Sequence, residues 1–240
     1  MSHPRARWTS ASDLTVVIPT VTGGDKLERA RAAVGDWPVE VVRDERREGF
    51  AATVNRGLAR ASSARVLVLN DDAAPKAGCV EALLAVDADL VGPVLVAPGG
   101  TVESAGIRFS ERSGRVVTLR DPPAGACAVD ALSGACLLMP GDLRFDPGYP
   151  HGFEDVALAR AVRRAGGRVV LQPAARCVHL GGATRDRRSP EATRDALIGH
   201  LRLVGPGTRR AWVTGYAVLQ VLREGADPAR LRALLAALRA

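Results

Sequence analysis

The sequence predicts an α/β fold, a mixed but mostly parallel sheet with flanking helices and a helical C-terminal tail. Three observations carry that prediction. From Leu14 to Val96, short β-branched runs alternate with stretches of helical periodicity, the pattern of strand–helix–strand units. The run Arg65-Val66-Leu67-Val68-Leu69 is continuously apolar rather than alternating, as expected of a strand covered on both faces. From Pro190 onward strand patterning stops and helical spacing takes over.

The elements follow in order. Leu14-Thr15-Val16-Val17-Ile18 is a buried strand stopped by Pro19, and residues 25–35 place Leu27, Ala30 and Val34 at helical spacing. Val39 to Val42 forms a second strand ending near Asp44, and Ala51 to Ala61 a helix with Val54 and Leu58 on one face. After the third strand, Pro75 is expected to open a helix running to about Val86, and Leu90 to Val96 is a further strand. Residues 101–130 break the rhythm, with a hairpin expected around Ser113-Gly114 between Ile107–Phe109 and Val116–Leu119. Cys136 to Met139 is a strand. Phe153 to Ala165 is a well-marked helix, with Glu154 and Asp155 in its first turn, Arg163 and Arg164 in its last, and Gly166 beyond. Two short strands, Arg168–Leu171 and Arg176–Leu180, precede the tail. There Asp227-Pro228 is an N-cap followed by a first-turn proline. The organisation expected is a flexible leader over 1–12, one domain over 13–185 and a basic helical extension over 186–240.

Composition bounds the function classes. With 47% hydrophobic residues, the 240-residue chain can bury a sizeable core. No run of about 18 apolar residues exists to span a bilayer, and Met1 to Ser12 is too polar for a signal peptide. Cys79, Cys127, Cys136 and Cys177 lack CxxC spacing, so they are expected to be reduced, buried thiols of a cytoplasmic protein. Cys177 and His179 alone lack the further ligands of a zinc site. Net charge is +7, and from Arg185 onward eleven arginines face five acids. Such a tail suits a solvated helical surface, a phosphorylated substrate, nucleic acid or an anionic lipid surface. Ala211 to Leu222 is uncharged, contains Trp212 and Tyr216 and is flanked by Arg209, Arg210 and Arg223. Packing as a core helix is its plainer reading, and lying at a membrane interface is the other.

Three constellations can carry chemistry. Asn70-Asp71-Asp72 follows the third strand directly, where open α/β sheets bind ligands beyond the strands' carboxyl ends. Adjacent carboxylates there suit a hard divalent cation shared with phosphate oxygens, or else a turn in which an Asp caps the next helix. Glu154-Asp155 opens a helix, so its carboxylates either offset the helix dipole or supply a general base. His179-Leu180-Gly181-Gly182 ends a strand. Its imidazole either is structural or completes a carboxylate/imidazole metal shell, with Arg185, Arg187 and Arg188 following in reach of phosphate.

The order of these pieces is more specific than any one of them. Val16-Val17-Ile18-Pro19-Thr20, Gly49-Phe50-Ala51-Ala52-Thr53-Val54-Asn55-Arg56-Gly57, Leu67-Val68-Leu69-Asn70-Asp71-Asp72, and Gly152-Phe153-Glu154-Asp155 through Gly166 to His179 occur in that sequence. Together with Ser133-Gly134-Ala135-Cys136-Leu137-Leu138, they resemble the inverting glycosyltransferase family 2 of the GT-A fold, especially its rhamnosyltransferase-like branch, over residues 14–185. The resemblance implies a nucleotide-sugar donor, an acceptor hydroxyl on a glycan, lipid-linked or small molecule, and a Mn²⁺ or Mg²⁺ cofactor. It implies Asp72 and His179 as metal ligands, Asn70 and Asp71 beside the ribose or diphosphate, and Asp155 as the base supported by Glu154. Thr20 and Asp44 would contact the nucleoside, and Gly134 would admit the donor sugar close to the backbone. Asn70 stands where a strict DxD motif has its first acid, and the segment between Pro19 and Gly49 is short for the family. The QxxRW motif of processive polymerases does not occur, so one sugar per encounter is expected. Two other readings compete. A sugar nucleotidyltransferase is faintly echoed by Thr22-Gly23-Gly24-Asp25-Lys26. A degenerate domain that only binds a partner or lipid surface, without nucleic acid, would leave Asp72, Asp155 and His179 unexplained.

Overall fold

The computed structural model describes residues 14–149, 152–180 and 189–239. The leader 1–12, His151 and the Arg185, Arg187 and Arg188 segment lie outside the described residues. The strands are β1 (Leu14–Thr20), β2 (Val39–Arg43), β3 (Arg65–Leu69), β4 (Ala73–Pro75), β5 (Leu90–Val96), β6 (Val102–Ser104), β7 (Ile107–Phe109), β8 (Val116–Thr118), β9 (Cys127–Ala128), β10 (Cys136–Pro140) and β11 (Val169–His179). The helices are α1 (Asp25–Ala33), α2 (Phe50–Arg60), α3 (Cys79–Leu84), α4 (Glu154–Arg164), α5 (Pro190–Val204), α6 (Thr208–Arg223) and α7 (Pro228–Ala237).

The main sheet runs β2-β1-β3-β10-β5-β11-β4, with β6 on β5 and β9 on β11. Pairs β1–β2, β1–β3 and β5–β11 are parallel, whereas β10 is antiparallel to both its neighbours. The central apolar runs are explained by cover on both faces. Val66 and Val68 of β3, Leu137 and Met139 of β10, and Leu90 and Val94 of β5 pack with Val54, Leu58, Val156 and Ala159 of α2 and α4. Their alternates Leu67, Leu69, Cys136, Leu138 and Val91 pack with Leu27, Ala30, Val80 and Leu83 of α1 and α3. At about 25 cal/mol per Å² of apolar surface removed from water, these two layers are the main source of stability. The close approach of α2 to the sheet depends on Gly57, where a Cβ would sit 2.4 Å from Val17 and 2.8 Å from Val42 side chains.

Three expectations are corrected. Pro75 does not open a helix: it ends β4 opposite Cys177, and α3 begins four residues later, behind Gly78 in a left-handed conformation. Proline is tolerated there because β4 is the last strand of the sheet, where a missing N–H breaks no interior ladder. The two strands around Pro173 are one, β11, whose pairing with β5 shifts register between Gln172 and Arg176. The segment 208–223 is a surface helix rather than a core helix. Only Val213 and Val221 on it are fully buried, in a small core with Leu197, Leu201 and Leu234 of α5 and α7. The hairpin β7–β8 forms as expected, and the predicted cap forms in the tail, with Asp227 Oδ1 accepting from the Ala229 N–H at 2.8 Å.

Candidate active site

The carboxyl ends of β1 and β3 meet the start of β4 and the end of β11, and the predicted residues gather there. Thr20, buried at the end of β1, donates its hydroxyl to Asp71 Oδ2 at 2.5 Å and accepts from the Gly23 N–H at 2.9 Å. Asp72 follows in the turn between β3 and β4. The β4–β11 register sets His179 opposite Ala73, and the Leu180 N–H donates to the Asp72 carbonyl at 3.0 Å. His179 Nε2 thereby stands 3.4 Å from Asp72 Oδ1. Its other ring nitrogen, Nδ1, stands 3.1 Å from Glu103 Oε2 on β6. A proton on Nδ1 shared with Glu103 leaves the Nε2 lone pair directed at Asp72.

Two oxygens here are buried with no hydrogen-bond partner, Asp72 Oδ1 and Asn70 Oδ1. Burying such atoms unpaired costs free energy, so each is a position where a bound group would repay the cost. One carboxylate oxygen and one imidazole nitrogen facing each other offer two ligands to a divalent cation, and no third His, Cys, Asp or Glu side chain joins them as a ligand group among the described residues. A cation here would take its remaining ligands from substrate oxygens and water. Burial alone would raise the Asp72 carboxyl, but the adjacent His179 imidazole, with Lys26 of α1, holds it below its ordinary value. Burial likewise depresses His179, and the Asp72 and Glu103 carboxylates outweigh it, raising the imidazole.

Asp155 is tied to this cluster through two consecutive residues. Asn70 N–H donates to the Ala135 carbonyl at 2.9 Å, and the neighbouring Gly134 N–H donates to Asp155 Oδ2 at 3.1 Å. Asp155 Oδ1 accepts from the Val156 N–H at 2.7 Å. Helix α4 enters through Gly152 at φ 81° and Phe153 at φ 70°, a conformation that costs a bulky residue about 1–3 kcal/mol. The Phe153 ring stacks on His200 of α5 at 4.7 Å, and that packing holds the entry. The preceding loop is pinned by Asn55, which bonds both backbone groups of Phe145 at 2.8 and 2.9 Å.

The two acids of α4 differ. Burial, reinforced by the charge of Asp155, pushes Glu154 up to about 8, and its Oε2 has no partner. Glu154 is thus a neutral acid at pH 7. Asp155 is also raised by burial, against the pull of the Gly134 and Val156 N–H groups.

Asp44 and Gly134 also make contacts within the fold. Asp44 is buried at the end of β2, but its oxygens accept from the Glu48 and Gly49 N–H groups at 2.8 and 3.0 Å, closing the turn into α2. A Cβ on Gly134 would lie 3.3 Å from the Phe50 ring and 3.6 Å from the Asp155 Cβ. The missing side chain at Gly134 therefore makes room for the Phe50 ring. Glu103 went unrecognised in the sequence because residues 101–130 carry no periodic pattern. A groove of about 650 Å³ along β2, lined by Arg43, Arg46, Glu48, Arg56 and Arg60, contains none of these groups.

Residues 24–106 match the family model described as glycosyl transferase family 2. The matched segment is about a third of the chain. It contains Asp44, Asn70, Asp71, Asp72 and Glu103, while Gly134, Glu154, Asp155 and His179 lie beyond it. The match agrees with the fold of the whole chain, which is that of GT-A glycosyltransferases. The structure of GalNAc-T7 with UDP, GalNAc and Mn²⁺ is similar at a TM-score of 0.62 and 15% identity, over 90% of this chain and 51% of that one. The mannosyltransferase PcManGT from Pyrobaculum calidifontis, in complex with GDP-Man and Mn²⁺, is similar at 0.54 and 18%, over 95% and 75%. The chain thus spans about half the length of GalNAc-T7. No curated protein sequence matches it.

Proposed function

We propose that this protein transfers one sugar from a nucleotide-diphosphate sugar to an acceptor hydroxyl with inversion at the anomeric carbon. The observation that most supports the reading is the linkage through Gly134 and Ala135, which joins the acid-rich turn after β3 to Asp155 by two backbone hydrogen bonds. A donor held at the turn would therefore lie beside the carboxylate that acts on the acceptor.

Asp72 and His179 would hold a divalent cation, as Mn²⁺ accompanies the nucleotide in both similar structures. When bound, the cation supplies positive charge to the departing diphosphate. Asp155 accepts the proton of the acceptor hydroxyl as its oxygen attacks the anomeric carbon. The glycosidic C–O bond forms as the bond to the diphosphate breaks, and the nucleoside diphosphate leaves with the bonding pair. Burial makes Asp155 a stronger base, while its two N–H donors fix its oxygens. Glu154, kept neutral beside it, adds no second negative charge near the attacking oxygen and supports the base's position. Thr20 orients Asp71, leaving Asn70 and Asp71 beside the ribose or diphosphate. The resemblance to the rhamnosyltransferase-like branch makes hexose and deoxyhexose donors the first to test.

The test is release of nucleoside diphosphate from a donor panel with Mn²⁺ and acceptor. Asp155→Asn is expected to lower turnover by about 10²–10⁴-fold while donor binding survives. Full turnover by that variant would remove Asp155 as the base.

A further inference from the structure

Helix α6 presents an apolar stripe to solvent. Trp212 is 76% exposed, Tyr216 62%, Leu219 43% and Leu222 49%, while Val213 and Val221 on the opposite side are buried. Trp212, Tyr216, Leu219 and Arg223 recur at i, i+4, i+7 and i+11, which sets them in one line along the helix. The only charged residues of α6 are Arg209, Arg210 and Arg223, so arginines bracket the stripe at both ends and no acid interrupts it. Arg209 is partly engaged, donating to the Glu111 carbonyl at 2.6 Å, whereas Arg210 and Arg223 are exposed. The neighbouring α7 adds Leu235 and Leu238, 58% and 43% exposed, beside the exposed Arg232 and Arg239.

An apolar face of this kind is a binding surface, and its charge selects the occupant. In an antiparallel pairing of α6 with a second copy of the chain, Arg209 and Arg210 would stand against the partner's last turn. That turn carries another arginine, and the acid at its cap, Glu224, is already paired with Arg230 at 2.7 Å. Anionic lipid phosphates match the same groups. Trp and Tyr carry an apolar body and a polar tip, as the headgroup boundary favours. Sixteen residues span about 24 Å, too short with its arginine ends to cross a bilayer but suited to lie along one. No helix among the described residues is long and apolar enough to cross a membrane.

We infer that α6 docks the protein on an anionic membrane surface, seating Trp212, Tyr216 and Leu219 in the headgroup boundary and Arg210 and Arg223 on lipid phosphates. This inference is independent of the transfer reaction.

The experiment is co-sedimentation of the full chain with phosphatidylcholine vesicles, with and without phosphatidylglycerol as about a third of the lipid, at low and high salt. The wild type is expected to bind the anionic vesicles and to be released by salt. Trp212→Ser combined with Tyr216→Ser is expected to weaken binding at least about tenfold at an unchanged melting temperature, because both side chains are exposed. Arg223→Glu should weaken binding and flatten its salt dependence. Wild-type affinity in the double variant, or no binding to anionic vesicles, overturns the inference. So does a wild-type dimer in sedimentation that the double variant turns into a monomer, since a second copy would then cover the face.

Discussion

Glu103 Oε2 stands 3.1 Å from His179 Nδ1, while the opposite nitrogen of the same ring faces Asp72 Oδ1 at 3.4 Å. The imidazole is held between two carboxylates, one that fixes its tautomer and one that faces its opposite nitrogen. Glu103→Ala is therefore expected to weaken Mn²⁺ binding about 10–100-fold, measured by titration of the free protein with the metal and its electron paramagnetic resonance signal. Glu103→Gln keeps an acceptor for the Nδ1 proton and should retain most of the affinity. Equal loss in both variants would mean that the charge of Glu103, rather than its hydrogen bond, matters.

Glu154 gives the fold a pH dependence. Its carboxyl is raised from its ordinary value to about 8 in the folded chain. Between those two values the folded state binds more protons than the unfolded, so stability falls as pH rises through that window. Above it the full cost is present, on the order of a few kcal/mol. Glu154→Gln mimics the neutral acid and should melt at a higher temperature than wild type at pH 9. The difference should shrink towards pH 5. A difference independent of pH would show that Glu154 is not neutral in the folded protein.

Gly134 has two demands on it, room for the Phe50 ring and an N–H donated to Asp155. Gly134→Ala should push the Phe50 ring outward and cost about 1–3 kcal/mol, as overpacking does. Because the N–H moves with the backbone, turnover should fall more than donor affinity. The check is a denaturant melt alongside donor binding and nucleotide-release rates.

Inversion is directly observable. The anomeric configuration of the product, read by proton coupling constants, should be opposite to that of the donor, with one sugar added per acceptor. A retained configuration would require a nucleophile that the Asp155 account does not contain.

Much of this arrangement could be read from the residues. Continuous apolar runs such as Val66–Leu69 identified strands covered on both faces, because burial on two sides removes alternation. The acidic first turn and the closing Gly166 marked α4. What escaped depends on long-range pairing. β6 exists because Leu95 and Val96 pair with Ser104 and Val102, and only that pairing brings Glu103 to His179. β4 has three residues and ends in proline, so local propensity pointed to a helix start where the sheet edge decided otherwise. The exposed face of α6 was hidden because its residues are apolar on every side, and periodicity cannot tell which side is covered.

The central claim is a metal-dependent nucleotide site at Asp72 and His179. Its most direct test is the melting temperature of the protein with each nucleoside diphosphate and nucleotide-sugar, with and without Mn²⁺ or Mg²⁺, in wild type and Asp72→Ala. A ligand at a hundredfold excess over its dissociation constant adds about 2.7 kcal/mol of stability. The account predicts a shift with one nucleotide that needs the metal and disappears in Asp72→Ala. No shift with any nucleotide, or a shift that persists in Asp72→Ala, would contradict it.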